Sequence, residues 1–293
     1  MKSLQLRSLI ARNLRVYFSD PVGVFLSLIG AMIVVFLYII FLSNMQVDGI
    51  MARFPMLERG EVENLMNTWL MAGAGVVAAA TTGLGAMITF VNDRSSKRFN
   101  DFLVSPIRRG TLTLGYICAN IIVSSAMTVT VFLFGVVYSV IGGAELTWTD
   151  FGWSLAALLL CVVSFSALFG FIGSLLKTAN SFSATSVVIT VMLGFLAGVY
   201  LPIGQFPETV NNVVSVLPFS QGASLVRSYM MRSSLDKLAT TSKPAADYLK
   251  EFLGVKISVG DFSIEYWMIA VILGAIAITF AVLMTLIITR KVR

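Results

Sequence analysis

Six stretches of this 293-residue chain contain no Asp, Glu, Lys or Arg, and each is long enough to cross a bilayer. They are residues 22–47, 64–92, 111–144, 151–176, 178–207 and 266–289. A hydrocarbon core about 30 Å thick needs roughly 20 apolar residues in a helix. Composition agrees, with 57% hydrophobic and only 12% charged residues and a mean hydropathy of +0.87. Six spans leave little chain for a soluble domain. The first stretch is too long for a cleaved leader and lacks an evident small-residue cleavage site. The expected fold class is an all-α membrane protein with six transmembrane helices.

The basic residues orient it. With the amino terminus inside, the inner segments hold 13 basic residues and three acids, Asp20, Asp93 and Asp101. The outer segments hold 8 basic and 12 acidic residues. By the positive-inside rule both termini are cytoplasmic, and the pI of about 9.4 is topological, not a nucleic-acid footprint. Cys118 and Cys161 fall within apolar stretches, outside any metal or CxxC spacing, and read as small hydrophobes.

Four regions follow: 1–21, 22–201 with an inner loop at 92–110, 202–265, and 266–293. Residues 4–18 (LQLRSLIARNLRVYF) put Leu6, Leu9, Ile10, Leu14 and Tyr17 on one helical face and Arg7, Arg12 and Arg15 opposite. That is either an amphipathic helix on the inner membrane surface or a simple basic tail, and Asp20-Pro21 ends it. The outer loop between the first two stretches is short and acidic, running from Asp48 to Glu63. The largest soluble piece is 202–265. Val210, Val213, Val214 and Leu217 give its first half a helical face able to dip back as a re-entrant or surface helix. Its second half reads as a short helix from Pro244 to Phe252 with Gly254 at its C-cap. A short strand follows at 255–259.

The absences narrow function. There is no histidine and no complete phosphate loop; Gly173 to Thr178 is only a partial echo. The chain by itself is therefore not expected to be an enzyme or to bind ATP. No stretch holds an ionisable group in its body, whereas ion-coupled carriers place such groups at membrane depth. A transporter built this way draws its energy from another subunit. Loop 92–110 is the inner segment with enough substance to receive one. Phe99, Phe102, Leu103 and Ile107 share a helical face, Arg94, Lys97, Arg98 and Asp101 surround it, and Ser105-Pro106 ends it. It is either a docking knob or an interfacial loop with positive-inside residues.

The pair Asp93-Arg94, then Asp101-Phe102-Leu103 and Ser105-Pro106, resembles the coupling-helix region of ABC-2 type permeases, the membrane subunits of bacterial type V ABC exporters with an ABCG-like fold. Gly198-Val199-Tyr200-Leu201-Pro202, Pro207, Leu217-Pro218-Phe219 and Arg227 resemble the same family's fifth span and outer hairpin, and nearly the whole chain takes part. Two features depart from it: Arg98-Phe99 where Gly-Thr is common, and the length of 233–263.

The resemblance implies an amphipathic N-terminal interfacial helix, a cytoplasmic coupling helix and an extracellular re-entrant hairpin. It implies a bacterial inner-membrane location and a homodimer or heterodimer of permease subunits. Two cytoplasmic ABC ATPase subunits would bind ATP and Mg, with no cofactor in this chain. Coupling would fall to Asp93, Arg94, Phe99, Asp101, Phe102, Leu103, Ser105 and Pro106. Spans two and five would line the path with Thr81, Thr82, Met87 and Phe90, then Thr190, Met192, Phe195 and Val199, although helix packing accounts for the same residues. Gly194, Gly198, Pro202, Pro207, Leu217, Pro218 and Phe219 would form the outer gate, the glycine pair also suiting close helix contact. The implied activity is export of a hydrophobic or amphipathic drug, antibiotic or lipid-linked molecule. The competing reading is a non-transporting scaffold or sensor that binds a partner through its outer appendage.

A correctly inserted Phe102→Asp variant is expected to uncouple ATP hydrolysis from transport; normal transport by that variant would remove the docking assignment.

Overall fold

The computed structural model describes residues 2–96, 98–99 and 107–290. Helix α1 (Lys2–Phe18) stops at Ser19. Asp20 accepts from the Gly23 N–H at 2.9 Å, and Pro21 opens α2 (Pro21–Leu37), the pairing of acidic cap and N1 proline that starts helices well. A π-turn (Tyr38–Leu42) leads into α3 (Ser43–Arg53). Then follow α4 (Arg59–Ser95), α5 (Arg109–Ile141), α6 (Trp148–Leu175) and α7 (Ala179–Leu196). After a 3-10 turn (Ile203–Gln205) come α8 (Glu208–Val216), α9 (Pro218–Met230), α10 (Arg232–Thr241) and α11 (Lys243–Phe252). A two-stranded antiparallel hairpin, β1 (Ile257–Val259) and β2 (Phe262–Ile264), precedes α12 (Tyr266–Arg290).

Six helical segments are long and apolar enough to cross a membrane: the second half of the α2–α3 run, and α4, α5, α6, α7 and α12. Helix is the form such segments must take, because it satisfies every backbone group without water. Their alternation gives the bundle two ends. One, the basic end, holds α1, the last turn of α4, the first turn of α5 and Lys177; the other, the hairpin end, holds residues 197–265.

Two expected boundaries shift. The first outer loop does not begin at Asp48: α3 runs on to Arg53 and α4 starts at Arg59. Asp48, Arg59 and Glu63 form a cluster of exposed ion pairs at 2.8 Å, so a charge here marks a helix end and not a loop. The fifth span does not run to the expected boundary between 201 and 202, because Gly198 (φ +61°) turns the chain after Leu196. The strand foreseen at 255–259 shrinks to β1 and gains a partner in β2, while α11 and Gly254 (φ +67°) form the expected helix and C-cap.

Helix α4 is the hub. Of its most apolar window 83% is buried, against 17% for α7 and 22% for α12. Its run of Ala and Gly from Ala72 to Ala86 lets α5, α6, α7 and α9 approach closely, which is how helices gain contact where lipid offers no hydrophobic drive. A polar ladder registers three helices at its middle. The Thr82 and Ser124 hydroxyls lie 2.9 Å apart, Asn120 Nδ2 donates to Gly83 O at 2.9 Å, and Ser166 donates to Asn120 Oδ1 at 3.3 Å.

Helices α8 and α9 fold back along the bundle. Phe219, next to the α8–α9 turn, lies 5.0 Å from the Phe165 ring and 6.2 Å from the Phe169 ring. Tyr229, near the other end of α9, stacks on Trp153 at 5.8 Å. Phe169 is about 30 Å along α6 from Trp148 at 1.5 Å per residue, so the turn reaches deep between helices. Helices α10 and α11 form no loose appendage: Leu235, Leu238, Leu249 and Leu253 are buried in the same core as α4.

Gly222 marks the closest approach of α9, since a Cβ there would lie 2.7 Å from Cys161 Sγ and 3.4 Å from Phe165 Cζ. Gly222→Val should destabilise the fold by about 1–3 kcal/mol through overpacking, read as a lower melting temperature in detergent. An unchanged melting temperature would mean that α9 is not seated between α4 and α6.

Candidate functional site

A cavity of 660 Å³ lies against α4 between the α2 and α7 helices. Its mouth is at the basic end, where Asp20, Asn92 and Arg98 are exposed; its far end is marked by Thr81 and Thr190. Tyr17 of α1 forms part of the floor and donates or accepts a hydrogen bond with Ser27 at 3.1 Å. The α4 wall is a helical stripe of Thr81, Leu84, Gly85, Ile88 and Asn92, and the α7 wall repeats every turn at Phe182, Ser186 and Thr190. The lining is apolar with spaced hydroxyls, and the Ser186 hydroxyl has no hydrogen-bond partner among the described residues. Charged groups are confined to the mouth. Such a space accommodates an apolar body with a polar head.

Three ties at the basic end hold the cavity walls in place. Asp93, only 4% exposed, receives two nitrogens of Arg12 (Nη1, and Nη2 at 2.9 Å) and the Tyr116 hydroxyl at 2.7 Å. One carboxylate thereby joins α1, α4 and α5 through a bidentate, charge-assisted pair. The bond to Asp93 raises the Arg12 pKa above its ordinary value, partial burial opposing it. Helix α1 settles beside this tie where Gly115 lets Leu9 come close, a Cβ on the glycine lying 3.0 Å from Leu9 Cβ. Arg94 donates to Ser174 O at 2.6 Å and to Leu176 O at 3.4 Å, capping α6. Arg109 donates to Thr289 O at 2.9 Å, capping α12. Phe90, Phe99 and Tyr116 pack as an aromatic cluster with centroids 5.2–6.4 Å apart.

The sequence-selected residues divide accordingly. Thr81 and Thr190 meet at the cavity. Thr82 is buried in the polar ladder, Met87 packs against Gly170 and Gly173, and Phe90 belongs to the aromatic cluster. Val199 is buried over Gly73, whereas Met192 and Phe195 are exposed on the outward face of α7. Among the coupling residues, Asp93, Arg94 and Phe99 make contacts inside the subunit, and Arg12, expected on the polar face of α1, turns inward to Asp93. Asp101, Phe102, Leu103, Ser105 and Pro106 lie outside the described residues.

The glycine pair serves the chain reversal. A Cβ on Gly194 would fall 2.0 Å from the Tyr200 ring, and Gly194 O accepts from Val199 N and Tyr200 N. Gly198 supplies the positive φ. Pro202 precedes the 3-10 turn, Pro207 precedes α8, Leu217 links α8 to α9, Pro218 is the first residue of α9, and Phe219 is the buried tip.

Sequence reasoning passed over Tyr17, Leu84, Ile88, Phe182 and Ser186 on the cavity, and Tyr116 in the carboxylate tie. Extending Thr81 and Thr190 by one turn at a time toward the basic end would have reached most of the cavity residues.

Asp93→Asn keeps the shape of the tie and removes its charge. A double-mutant cycle with Arg12→Gln should give a coupling of about 1–3 kcal/mol in unfolding free energy. A coupling near zero would show that the pair does not anchor α1.

No curated protein matches the chain. The family profile for the ABC-2 type transporter matches residues 4–231, which spans all of the cavity lining, the Asp93 and Arg94 ties, and Arg109 but not its acceptor Thr289. A bundle of six apolar helices around one hub, with its cationic caps and a cavity against that hub, is thus that of a multi-pass membrane permease, the component of ABC transporters that is not itself the ATPase, and the chain belongs to the ABC-2 type transporter family.

Proposed function

We propose that this chain is the permease subunit of an ATP-driven exporter, and that it moves a hydrophobic or amphipathic compound outward through the cavity between α2, α4 and α7. The observation that carries the reading is the cavity itself: an apolar body with hydroxyls, charged only at its mouth. A drug, antibiotic or lipid-linked molecule with one polar end fits that distribution better than an ion or a sugar. The basic end faces the cytoplasm in this reading, on the positive-inside argument. Trp148, Trp153 and Trp267, all exposed at the hairpin end, suit the opposite interface, and the α8–α9 pair is a re-entrant outer hairpin.

Cytoplasmic ABC ATPases would bind ATP and Mg and press on residues 92–110. Their push would reach the bundle through Asp93 and Arg94, because these residues tie that connection to α1, α5 and α6. A second permease subunit would cover the exposed apolar face of α7, where Val187, Val188, Val191, Met192 and Phe195 are uncovered.

The permease purified in mild detergent should carry an ABC ATPase with it. In proteoliposomes of that complex, ATP should drive movement of an amphipathic fluorescent dye. Gly85→Phe tests the path, since a Cβ at Gly85 meets only Ser27 Cβ at 4.0 Å and a larger side chain grows into the cavity. Dye transport should fall at least about tenfold while ATP hydrolysis persists. Undiminished transport by Gly85→Phe would remove the cavity from the path, and absence of any ATPase partner would remove the exporter reading.

A further inference from the structure

The hairpin end holds a cation that the cavity does not use. Arg227 on α9 is fully buried, and among the described residues no carboxylate pairs with it. Its Nη2 donates to Ala197 O at 3.0 Å and to Gly198 O at 2.8 Å. Its Cζ lies 5.0 Å from the centroid of the Trp69 ring, a cation–π distance. Nε and Nη1 have no hydrogen-bond partner among the described residues. Burying a charge without a counter-ion is costly, and a long apolar side chain would fill the same volume without that cost. Packing alone therefore does not account for an arginine here; the carbonyl bonds do.

Those carbonyls belong to the two residues that follow α7, at the point where Gly198 reverses the chain. The guanidinium is wedged between two helix ends of the same kind. A Cβ on Gly198 or on Gly254, which closes α11, would lie 3.4 Å from Nη1, and one on Gly73 of α4 would lie 3.1 Å from Nη2. Beneath it, the Trp69 indole N–H donates to Leu253 O at 2.8 Å and so caps α11. One arginine and one tryptophan join α4, α7, α9 and α11 at a single node.

We propose that Arg227 is the outer latch of the permease, a positioning residue that holds the end of α7 and the α10–α11 layer on α4 and releases the α7 carbonyls when the path opens at the hairpin end. The inference rests on the permease reading above. Helix α7 is the wall that links the two, because it carries Ser186 and Thr190 on the cavity and leads directly into the carbonyls that Arg227 holds. The two unengaged donors let the guanidinium exchange acceptors; Nη1 already lies beside Gly254, so loss of the α7 carbonyls leaves the charge next to a second helix end.

The test uses the permease–ATPase complex in nanodiscs, in a Cys118→Ser, Cys161→Ala background. Ser186→Cys reports on the cavity and Val199→Cys, fully buried beside the node, on the latch. Each is labelled with a hydrophilic maleimide, without nucleotide and with ATP plus vanadate. Ser186→Cys should be protected by ATP plus vanadate and Val199→Cys exposed by it. Arg227→Met should raise nucleotide-free labelling at Val199→Cys about tenfold or more, the factor expected from losing one charge-assisted hydrogen bond, with the Ser186→Cys response retained.

Arg227→Lys, which keeps the charge but not the planar fork, and Trp69→Phe, which keeps a ring but not the N–H, should give smaller rises in the same direction. They carry the test if Arg227→Met does not assemble. An arginine that only packs would lower yield in both nucleotide states and leave the ratio of the two Val199→Cys rates alone; an unchanged ratio in Arg227→Lys and Trp69→Phe overturns the latch. A nucleotide response at Ser186→Cys with none at Val199→Cys overturns the latch alone. No response at either position overturns the permease reading as well.

Discussion

A helix that stops at or within an apolar phase leaves its last four carbonyls without an intrahelical partner, and lipid supplies none. The rest of this fold is arranged around that deficit. Arg94 closes α6, Arg109 closes α12, Arg227 closes α7, and the Trp69 indole closes α11. Each arginine also sets a positive charge at the negative end of a helix dipole. Because every donor sits on a different helix from its acceptors, satisfying the carbonyls also fixes which helices lie together and at what height. The helical backbone follows from apolarity, but its three-dimensional register follows from these ends.

The two ends of the bundle solve the problem under different conditions. At the basic end Arg12 is 30% exposed and Arg109 is half-buried, so water stands in for part of any bond that breaks. The carboxylate of Asp93 adds a counter-charge to that end. At the hairpin end Arg227 is wholly buried and has carbonyl dipoles and an aromatic face in place of an anion. Rearranging Arg12 or Arg109 therefore exchanges part of their protein partners for solvent, although Asp93 itself is buried. At the hairpin end a broken bond has to find another protein acceptor, because an unsatisfied buried donor carries its full desolvation penalty. That difference favours discrete arrangements at the hairpin end and graded movement at the basic end.

Much of this was legible in the sequence, and the illegible part has one cause. Charge-free length gave the six spans, because burial in lipid excludes ions whatever the tertiary contacts. The same criterion misplaced the start of the first loop at Asp48, since a helix can carry ions once it has left the apolar layer, as the Asp48–Arg59–Glu63 cluster shows. The boundary drawn at Pro202 fell six residues beyond the end of α7 at Leu196, and nothing local showed that Gly194 makes room for the Tyr200 ring, a contact that depends on the turn already being formed. Asp93 and Arg94 stood out as a pair. Their partners Arg12 and Tyr116, and the carbonyl of Ser174, are more than 20 residues away, so no local period points to them. Thr81 and Thr190 reached the cavity because hydroxyls on an apolar helix are conspicuous; Leu84, Ile88 and Phe182 beside them look like any lipid-facing residue.

The cavity and the capped end of α7 are parts of one closure. Thr81 marks the far limit of the cavity on α4, and Gly73, where Val199 is seated with its Cγ2 2.6 Å from the position a Cβ would take, lies about 12 Å further along that helix at 1.5 Å per residue. Val199 follows directly on the two carbonyls held by Arg227. In the proposed opening, the space above Thr81 widens as Val199 leaves Gly73, and the bonds that hold Ala197 and Gly198 oppose that step. In the proposed topology the barrier to the outside is thus set less by the apolar side chains that fill it than by the hydrogen bonds of the helix that carries them.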